Sequence, residues 1–158
     1  MELVFSIRLH IKDLAVLKSI QVFFSGIGKI YIHEKEGEAT FRVSSVKELE
    51  LIINHFDKYP LITQKWSDFM LFKQALDLIK CKNHLTLDGL QEIVNIKASM
   101  NLEIPSLGFP NTVPVIRPSV PKVYTSIDPF WMAGFVAGDG CFSVHLKKSP
   151  SSKLGETA

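Results

Sequence analysis

The stretch WMAGFVAGDGCF, from Trp131 to Phe142, decides how the fold of this chain is interpreted. Asp128 and Pro129 precede it and have the preferences of an N-cap and a first helical residue, so they predict a short helix from Pro129 to about Gly138. Small residues recur four apart along this helix and would leave one side almost without bulk, where a second helix could pack closely. The residues of this small face are Ala133, Gly134, Ala137 and Gly138.

Asp139 follows at the C-terminal end of the helix, where the macrodipole disfavours a carboxylate. A divalent cation held by the Asp139 carboxylate and the Gly138 carbonyl would relieve this conflict, and Mg²⁺ prefers oxygen ligands of this kind. The alternative is that Asp139 and Gly140 form an ordinary turn after a buried helix. An isolated Asp-Gly pair would favour the turn, so the choice depends on the surrounding sequence.

The composition restricts the class of protein only loosely. A chain of 158 residues with 46% hydrophobic residues is long enough for one full core, or for one domain and part of another. A net charge of +2 neither demands nor excludes a nucleic-acid partner. Cys81 and Cys141 lack metal-type spacing, which indicates a reduced compartment without a disulfide framework. The N-terminal sequence predicts neither a signal peptide nor a membrane span.

Three amphipathic strands are predicted in the first third of the chain. Polar and apolar residues alternate over Phe5–Lys12, Lys29–His33 and Ala39–Ser44, with an acidic hairpin turn from Glu34 to Glu38. The polar faces would together present cations and hydrogen-bonding groups: Ser6, Arg8, His10, Lys12, Lys29, Tyr31, His33, Thr40, Arg42 and Ser44. Such a surface suits a duplex groove, although any antiparallel sheet with one solvated face shows the same alternation.

Helices are expected behind this sheet. Asp13 would cap the first, which runs through Ser25 and ends at Gly26, and a capping box of Ser45 and Glu48 would begin the second. Two more are predicted from about Ser67 to Lys82 and from Thr86 to about Asn101, with their apolar stripes against the same core. The core residues expected on the last three helices are Leu49, Ile52, Ile53, Phe56, Phe69, Phe72, Leu76, Ile79, Leu90, Ile93, Val94 and Met100.

The region from Leu102 to Ile127 has no periodicity and holds five of the eight prolines. It is predicted to be an extended linker, 102–127, between an N-terminal domain, 1–101, and the start of a second domain, 128–158. Beyond Gly140 the alternation predicts another strand, with Ser143, His145 and Lys147 on its polar side.

Met132 to Gly140 resembles the signature helix of the LAGLIDADG homing endonucleases, in the variant found at the second copy of double-motif fungal organellar enzymes. Ala133, Gly134, Asp139 and Gly140 are identical to the motif, whereas Ala137 and Gly138 depart from its most familiar spelling. The resemblance extends over nearly the whole chain and includes residues 5–12, 24–31, 42–45, 55–65 and 90–94.

The resemblance implies an α+β fold, in which a saddle-shaped antiparallel β-sheet is backed by helices. In similar proteins each of two domains opens with a signature helix and a strand. By that pattern this chain would be a fragment, with one nearly complete domain that lacks its own signature helix and the start of a second. The implied activity is Mg²⁺-dependent, site-specific hydrolysis of double-stranded DNA, for which two acids hold the metal ions. Asp139 is one such acid, so this chain alone is expected to be a poor catalyst.

The resemblance also implies a role for particular residues. Asp139 and Gly138 would bind the metal, and Lys65, beside Gln64, would approach the scissile phosphates. Without the resemblance, the sequence favours an ordinary solvated lysine at Lys65. The implied DNA contacts are Ser6, Arg8, His10, Lys12, Lys29, Tyr31, Thr40, Arg42, Ser44, Ser143, His145 and Lys147.

Alternatives remain open for function and for assembly. The chain could be a non-catalytic nucleic-acid-binding protein, either a maturase that helps intron RNA to fold or a degenerate remnant, or a small α+β domain with a metal-free buried helix. The resemblance implies an organelle-encoded, mitochondrial protein that is monomeric when intact, with two pseudo-symmetric domains and no membrane partner. A further hypothesis is a permuted single domain, two copies of which would pair through Gly134 and Gly138.

Overall fold

The computed structural model describes residues 2–100, 111–121, 128–143, 147–148 and 156–157. The chain divides into two compact units, Met1–Pro121 and Lys122–Ala158. The predicted linker, 102–127, is only partly described, so the predicted domain boundaries stay a prediction. In the described ranges no helix combines the length and apolarity needed to cross a bilayer.

The first unit contains a three-stranded antiparallel sheet. Its strands are β1 (Phe5–His10), β2 (Lys29–His33) and β3 (Glu38–Val43), in the order β1-β3-β2. The central strand carries the most buried apolar residues, since Ala39, Phe41 and Val43 are all inaccessible to solvent. Together with the helices described below, this sheet confirms the predicted α+β class.

The apolar face of the sheet is less fully covered at its edges. Ile32 on β2 was expected to point inward, but it is 50% exposed. It pairs with Ala39 of the central strand, yet the described helices do not cover it. The alternation therefore identified the face correctly and overestimated the burial of an edge strand.

The segment after β1 differs from the prediction. A single 3-10 turn, Ile11–Asp13, ends the strand before Lys12, and His10 Nδ1 accepts from the Lys12 amide at 3.1 Å. Helix α1 (Leu14–Phe23) follows, and its expected N-cap, Asp13, makes no capping hydrogen bond. Helix α1 stops before Ser25, because Ser25 and Gly26 both adopt positive φ.

The remaining helices of this unit are α2 (Val46–Lys58), α3 (Lys65–Lys80) and α4 (Leu87–Ser99). Thr86 caps α4, and its side chain accepts from the Gly89 amide at 3.1 Å. Ser45 is the N-cap of α2, but its side chain makes no capping hydrogen bond, so the predicted capping box is wrong. A backbone bond from the Leu49 amide to the Ser45 carbonyl closes the first turn instead.

The helices do not share one core, contrary to the prediction. The first cluster joins the sheet to α1, α2 and part of α3, with Leu17, Phe41, Leu49 and Ile52 at its centre. The second is smaller and joins α3 to α4 through Leu71, Ala75 and Ile96, with Met100 and Val115 packed against it. Opposite faces of α3 thus contribute to different clusters.

Residues 111–121 form no helix or strand, but they are bonded to α3 and α4. Ser67 Oγ donates to the Pro118 carbonyl at 2.7 Å, and Ser99 Oγ donates to the Val115 carbonyl at 2.7 Å. Arg117 reaches Asp68 Oδ1 at 2.7 Å and the Ser99 carbonyl at 2.8 Å. This stretch of the predicted linker therefore packs as part of the first unit.

The second unit contains helix α5 (Pro129–Asp139) and a pair of two-residue strands, β4 (Lys147–Lys148) and β5 (Glu156–Thr157). Asp128 caps α5, because its carboxylate accepts from the amides of Phe130 at 2.8 Å and Trp131 at 3.0 Å. The predicted start and end of this helix are confirmed to within one residue. The predicted strand directly after Gly140 is not observed at 141–143.

Candidate nucleic-acid interface

The polar face of the sheet is arranged in three cross-strand rows. The strand register places Ser6, Arg42 and Lys29 in the first row, Arg8, Thr40 and Tyr31 in the second, and His10, Glu38 and His33 in the third. Strands lie about 4.8 Å apart and alternate residues about 6.8 Å apart, so the nine side chains form a compact grid. We call this grid the polar face.

Both arginines of the polar face already have carboxylate partners. Arg42 Nη2 lies 2.7 Å from Glu2 Oε2, and Arg8 Nη1 lies 3.2 Å from Glu38 Oε2. The side chains of Arg8 and Arg42 remain 65% and 39% exposed. Exposed ion pairs contribute only about 0 to 1 kcal/mol, so a nucleic acid could compete for either guanidinium.

Thr40 occupies its predicted place in the middle row, but its side chain is buried. It is 8% exposed, because the central strand places it between Arg8 and Tyr31. Within the described residues its Oγ1 has no hydrogen-bond partner. Thr40 therefore offers far less surface to a ligand than its neighbours in the grid.

Several other predicted DNA contacts lie outside the grid. Lys12 is exposed on the 3-10 turn, and Ser44 is exposed beyond the end of β3. Ser143 is exposed outside any strand. Lys147 belongs to β4, but its side chain is not described, and His145 lies outside the described residues.

Lys65 is the first residue of α3 and lies beside a cleft between β1 and helices α2 and α3. Its side chain is 71% exposed, and Nζ lies 3.9 Å from Asp68 Oδ2. The cleft has a volume of about 490 Å³, with Phe5, Ile7 and Phe72 among its apolar lining and Lys65 and Asp68 as its charged groups. Lys65 is thus accessible, and its partner carboxylate is fixed independently by Arg117.

The small face of α5 is open. Within the described part of the second unit, a Cβ added at Gly134 or at Gly138 would meet no atom within 4 Å, and none of the described residues of α5 is buried. On the rest of the helix, Trp131 and Phe135 stack with ring centroids 5.0 Å apart, and Phe130 is 87% exposed. The predicted partner helix is therefore not observed among the described residues.

Asp139 is exposed at the C-terminal end of α5. The carbonyls of a last helical turn lack intrahelical partners, apart from that of Val136, which accepts from the Gly140 amide at 2.8 Å. A carboxylate beside free carbonyls fits a hard cation such as Mg²⁺. No group of three or more His, Cys, Asp or Glu side chains suited to a metal occurs in the part of the chain that the structure describes. Asp139 and Gly138 would therefore supply only part of a metal site.

Two charged residues of these sites were missed from the sequence. Glu38 was taken as part of the hairpin turn, although its even spacing from Thr40 and Arg42 would have placed it on the polar face. Arg117 lies in a Pro-rich region without periodicity, and two of its partners are backbone carbonyls, of Ser99 and Gln64. No sequence pattern indicates contacts of that kind.

Comparison with known proteins relates the whole chain to one family. Residues 1–76 match the family model described as LAGLIDADG endonuclease. "Probable intron-encoded endonuclease 3" of Neurospora crassa is 42% identical over 157 residues, which are 98% of this chain and 29% of that protein. The chain thus spans less than a third of this relative.

Two solved LAGLIDADG structures share the fold. The meganuclease I-CpaMI, bound to uncleaved DNA, has a TM-score of 0.89 and 48% identity, covering 99% of this chain and 54% of that one. I-SmaMI, bound to an uncleaved DNA target in the presence of calcium ions, has a TM-score of 0.87 and 43% identity, covering 98% and 53%. These likenesses confirm the fold expected from the resemblance, and the chain spans about half the length of each solved protein.

Proposed function

Because this chain belongs to the LAGLIDADG endonuclease family, we propose that it acts in site-specific hydrolysis of double-stranded DNA. The observation that carries the proposal is the polar face, where guanidinium, ammonium, hydroxyl and imidazole groups occupy a grid of three strands. A two-stranded β-ribbon fits the major groove, in which base edges present distinct patterns of donors and acceptors. Lys29 would contact phosphate, and Arg8, Arg42 and Tyr31 would contact bases.

The proposed metal is Mg²⁺, held by the Asp139 carboxylate and the Gly138 carbonyl, with further ligands from outside the described residues. When bound, such an ion would stabilise charge on the phosphodiester and lower the pKa of a water molecule. The chain's own contribution is to fix one carboxylate at the end of α5. Lys65, which is exposed on α3, would offer a positive charge to a phosphate.

Substitution of Asp139 by Asn tests this assignment. Nicking of supercoiled plasmids that carry a randomised insert would be measured with Mg²⁺, because the natural target is unknown. Because this chain alone is expected to be a poor catalyst, its nicking should be weak, and we expect Asp139→Asn to remove the Mg²⁺-dependent part of it while duplex binding persists. Asp13→Asn is the matched control. Asp13 is an acid at the start of α1, and its side chain makes no capping hydrogen bond.

Binding to duplex DNA should weaken as salt rises, with a log–log slope of about −0.9 for each phosphate contact. Lys29→Ala should make this slope shallower by about one contact. If the unsubstituted chain binds duplex DNA but neither nicks it nor binds Mg²⁺ through Asp139, the chain is a non-catalytic nucleic-acid-binding protein. If it binds structured intron RNA more tightly than any duplex, the maturase function replaces the nuclease.

The location and assembly are also proposals. A mitochondrial location is supported by the similarity to an intron-encoded protein of a fungus, Neurospora crassa.

The open small face of α5 supports pairing through Gly134 and Gly138, either with a second signature helix in a two-domain monomer or with a second copy of this chain. Sedimentation of the chain at several concentrations distinguishes the two.

A further inference from the structure

Glu38 is the single carboxylate among the nine side chains of the polar face. It stands between His10 and His33 in the third row, and Arg8 reaches it from the second row at 3.2 Å. Its side chain is 38% exposed, so it faces whatever occupies this surface. A carboxylate at such a position needs an explanation, because it repels the phosphates that the neighbouring cations would attract.

Stability does not explain the pair. Arg8 is 65% exposed, and exposed ion pairs of this kind contribute little to folding. The other arginine pair differs in position, because Glu2 precedes β1 and is not part of the grid. Arg8 and Glu38 are therefore the only donor and acceptor of opposite charge that lie side by side within the three rows.

The major-groove edge of a G·C pair complements this arrangement. Guanine presents two acceptors, O6 and N7, which suit a guanidinium, and cytosine presents the N4 amino group, which suits a carboxylate. Guanine O6 and cytosine N4 are hydrogen-bonded to each other and so lie about 2.9 Å apart. The 3.2 Å separation of the Arg8 and Glu38 head groups is of the same size.

We propose that Arg8 and Glu38 form a specificity-determining pair that reads one G·C base pair, with Arg8 donating to guanine O6 and N7 and Glu38 accepting from cytosine N4. This inference rests on the proposed binding of duplex DNA by the polar face. An A·T pair fits less well, because thymine offers one acceptor and a methyl group where guanine offers two acceptors. Glu38 would thus contribute selectivity at a cost in general affinity for DNA.

The test is selection of duplexes from a randomised library by the full chain at low salt, followed by sequencing of the bound fraction. The unsubstituted chain should enrich G·C at one position. Glu38→Gln should weaken that preference without abolishing it, because Arg8 still contacts guanine, and its affinity for the unselected library should stay equal or rise. Glu36→Gln is the matched control, because Glu36 is an exposed acid of the same hairpin outside the grid. It removes the same charge and should leave the preference intact.

Base analogues at the enriched position identify the base atoms that Arg8 contacts. Replacement of guanine by 7-deazaguanine removes the N7 acceptor and should weaken binding of the unsubstituted chain by roughly five-fold to a hundred-fold. The same replacement should have little effect on Arg8→Ala, since the contacting guanidinium is already absent. Thermal melting of each variant establishes that it is folded.

The outcomes separate this inference from the function on which it rests. Equal tightening by Glu38→Gln and Glu36→Gln, without a change in preference, would mean that Glu38 is merely a negative charge. Enrichment of A·T at the position sensitive to Arg8 would also overturn the assignment. Failure of the unsubstituted chain to bind any duplex would instead reject the proposed function itself.

Discussion

At the scale of single residues, the sequence determined which side of the sheet a residue occupies, but not its burial or its partners. Alternation placed Arg8, Tyr31 and Thr40 on the polar face, and the register confirms that all three share a row. It could not show that Thr40 is buried between its two neighbours, because burial depends on cross-strand register. Ion pairing of Arg8 with Glu38 also follows from register, which a single strand does not encode.

His55 illustrates a property that only packing reveals. Its ring lies against Phe23, Phe24, Phe56 and Tyr59, with ring centroids 5.0 to 5.3 Å apart. Burial in this aromatic cluster lowers the pKa of His55 from its ordinary value. The folded protein therefore favours the neutral imidazole.

This shift predicts a loss of stability in mild acid. The unfolded chain takes up a proton near the ordinary pKa of about 6.5, whereas the folded chain does so only at lower pH. Stability from the neutral His55 is therefore complete above about pH 6.5 and is lost as the pH falls through the lowered pKa of the folded state. Urea unfolding between about pH 8 and pH 5 should show a smaller loss for His55→Phe, which keeps a ring but cannot be protonated. Parallel curves for the two proteins would disprove the role of His55.

At the scale of helices and strands, the periodicity of apolar residues predicted which helices and strands exist. It was less informative about the residues at which they end and the surfaces against which they pack. The apolar stripes of α2, α3 and α4 were predicted from spacing, and Leu49, Ile52, Phe69 and Ile93 are all buried. The apolar stripe of a helix does not specify the surface against which it packs, so the division of the core into two hydrophobic clusters could not be predicted. The contacts of residues 111–121 were also invisible, because they use serine hydroxyls and backbone carbonyls rather than an apolar period.

Arg117 should be the strongest single attachment of residues 111–121. Its guanidinium donates to the Asp68 carboxylate and to the carbonyls of Ser99 and Gln64, and its side chain is only 23% exposed. Hydrogen bonds to charged groups contribute about 1.5 to 3 kcal/mol, so Arg117→Ala should lower the free energy of unfolding by roughly 2 to 3 kcal/mol. Arg117→Lys should recover only part of this, because an ammonium lacks the planar fork that reaches several acceptors.

Denaturant unfolding measures the loss in free energy of unfolding for Arg117→Ala, with Lys73→Ala as the matched control. Lys73 pairs with Asp57 at the surface, where the side chains are 34% and 41% exposed, so Lys73→Ala should cost no more than about 1 kcal/mol. A loss for Arg117→Ala no larger than that for Lys73→Ala would show that residues 111–121 are not held through Arg117.

At the scale of the whole molecule, the sequence predicted a surface that requires a partner but not the identity of that partner. Four small residues defined one side of α5, and no described atom of the second unit lies against this side at Gly134 and Gly138. Close approach of a second backbone is encoded by residue size alone. Whether the second helix belongs to another domain or to another copy of the chain depends on charge, linker length and concentration. The spacing of small residues along α5 encodes none of these.

Self-association through α5 is the remaining prediction. A leucine at Gly134 would project from the small face and hold a second helix away, so Gly134→Leu should abolish any concentration-dependent dimer in sedimentation velocity. The substitution also raises helix propensity by up to about 1 kcal/mol, so loss of the helix would not be the cause. Met132→Leu is the control, because Met132 lies nearly opposite the small face and the change conserves volume. A dimer that survives Gly134→Leu pairs through another surface, and a chain that stays monomeric at every concentration leaves the small face to a second signature helix within one protein.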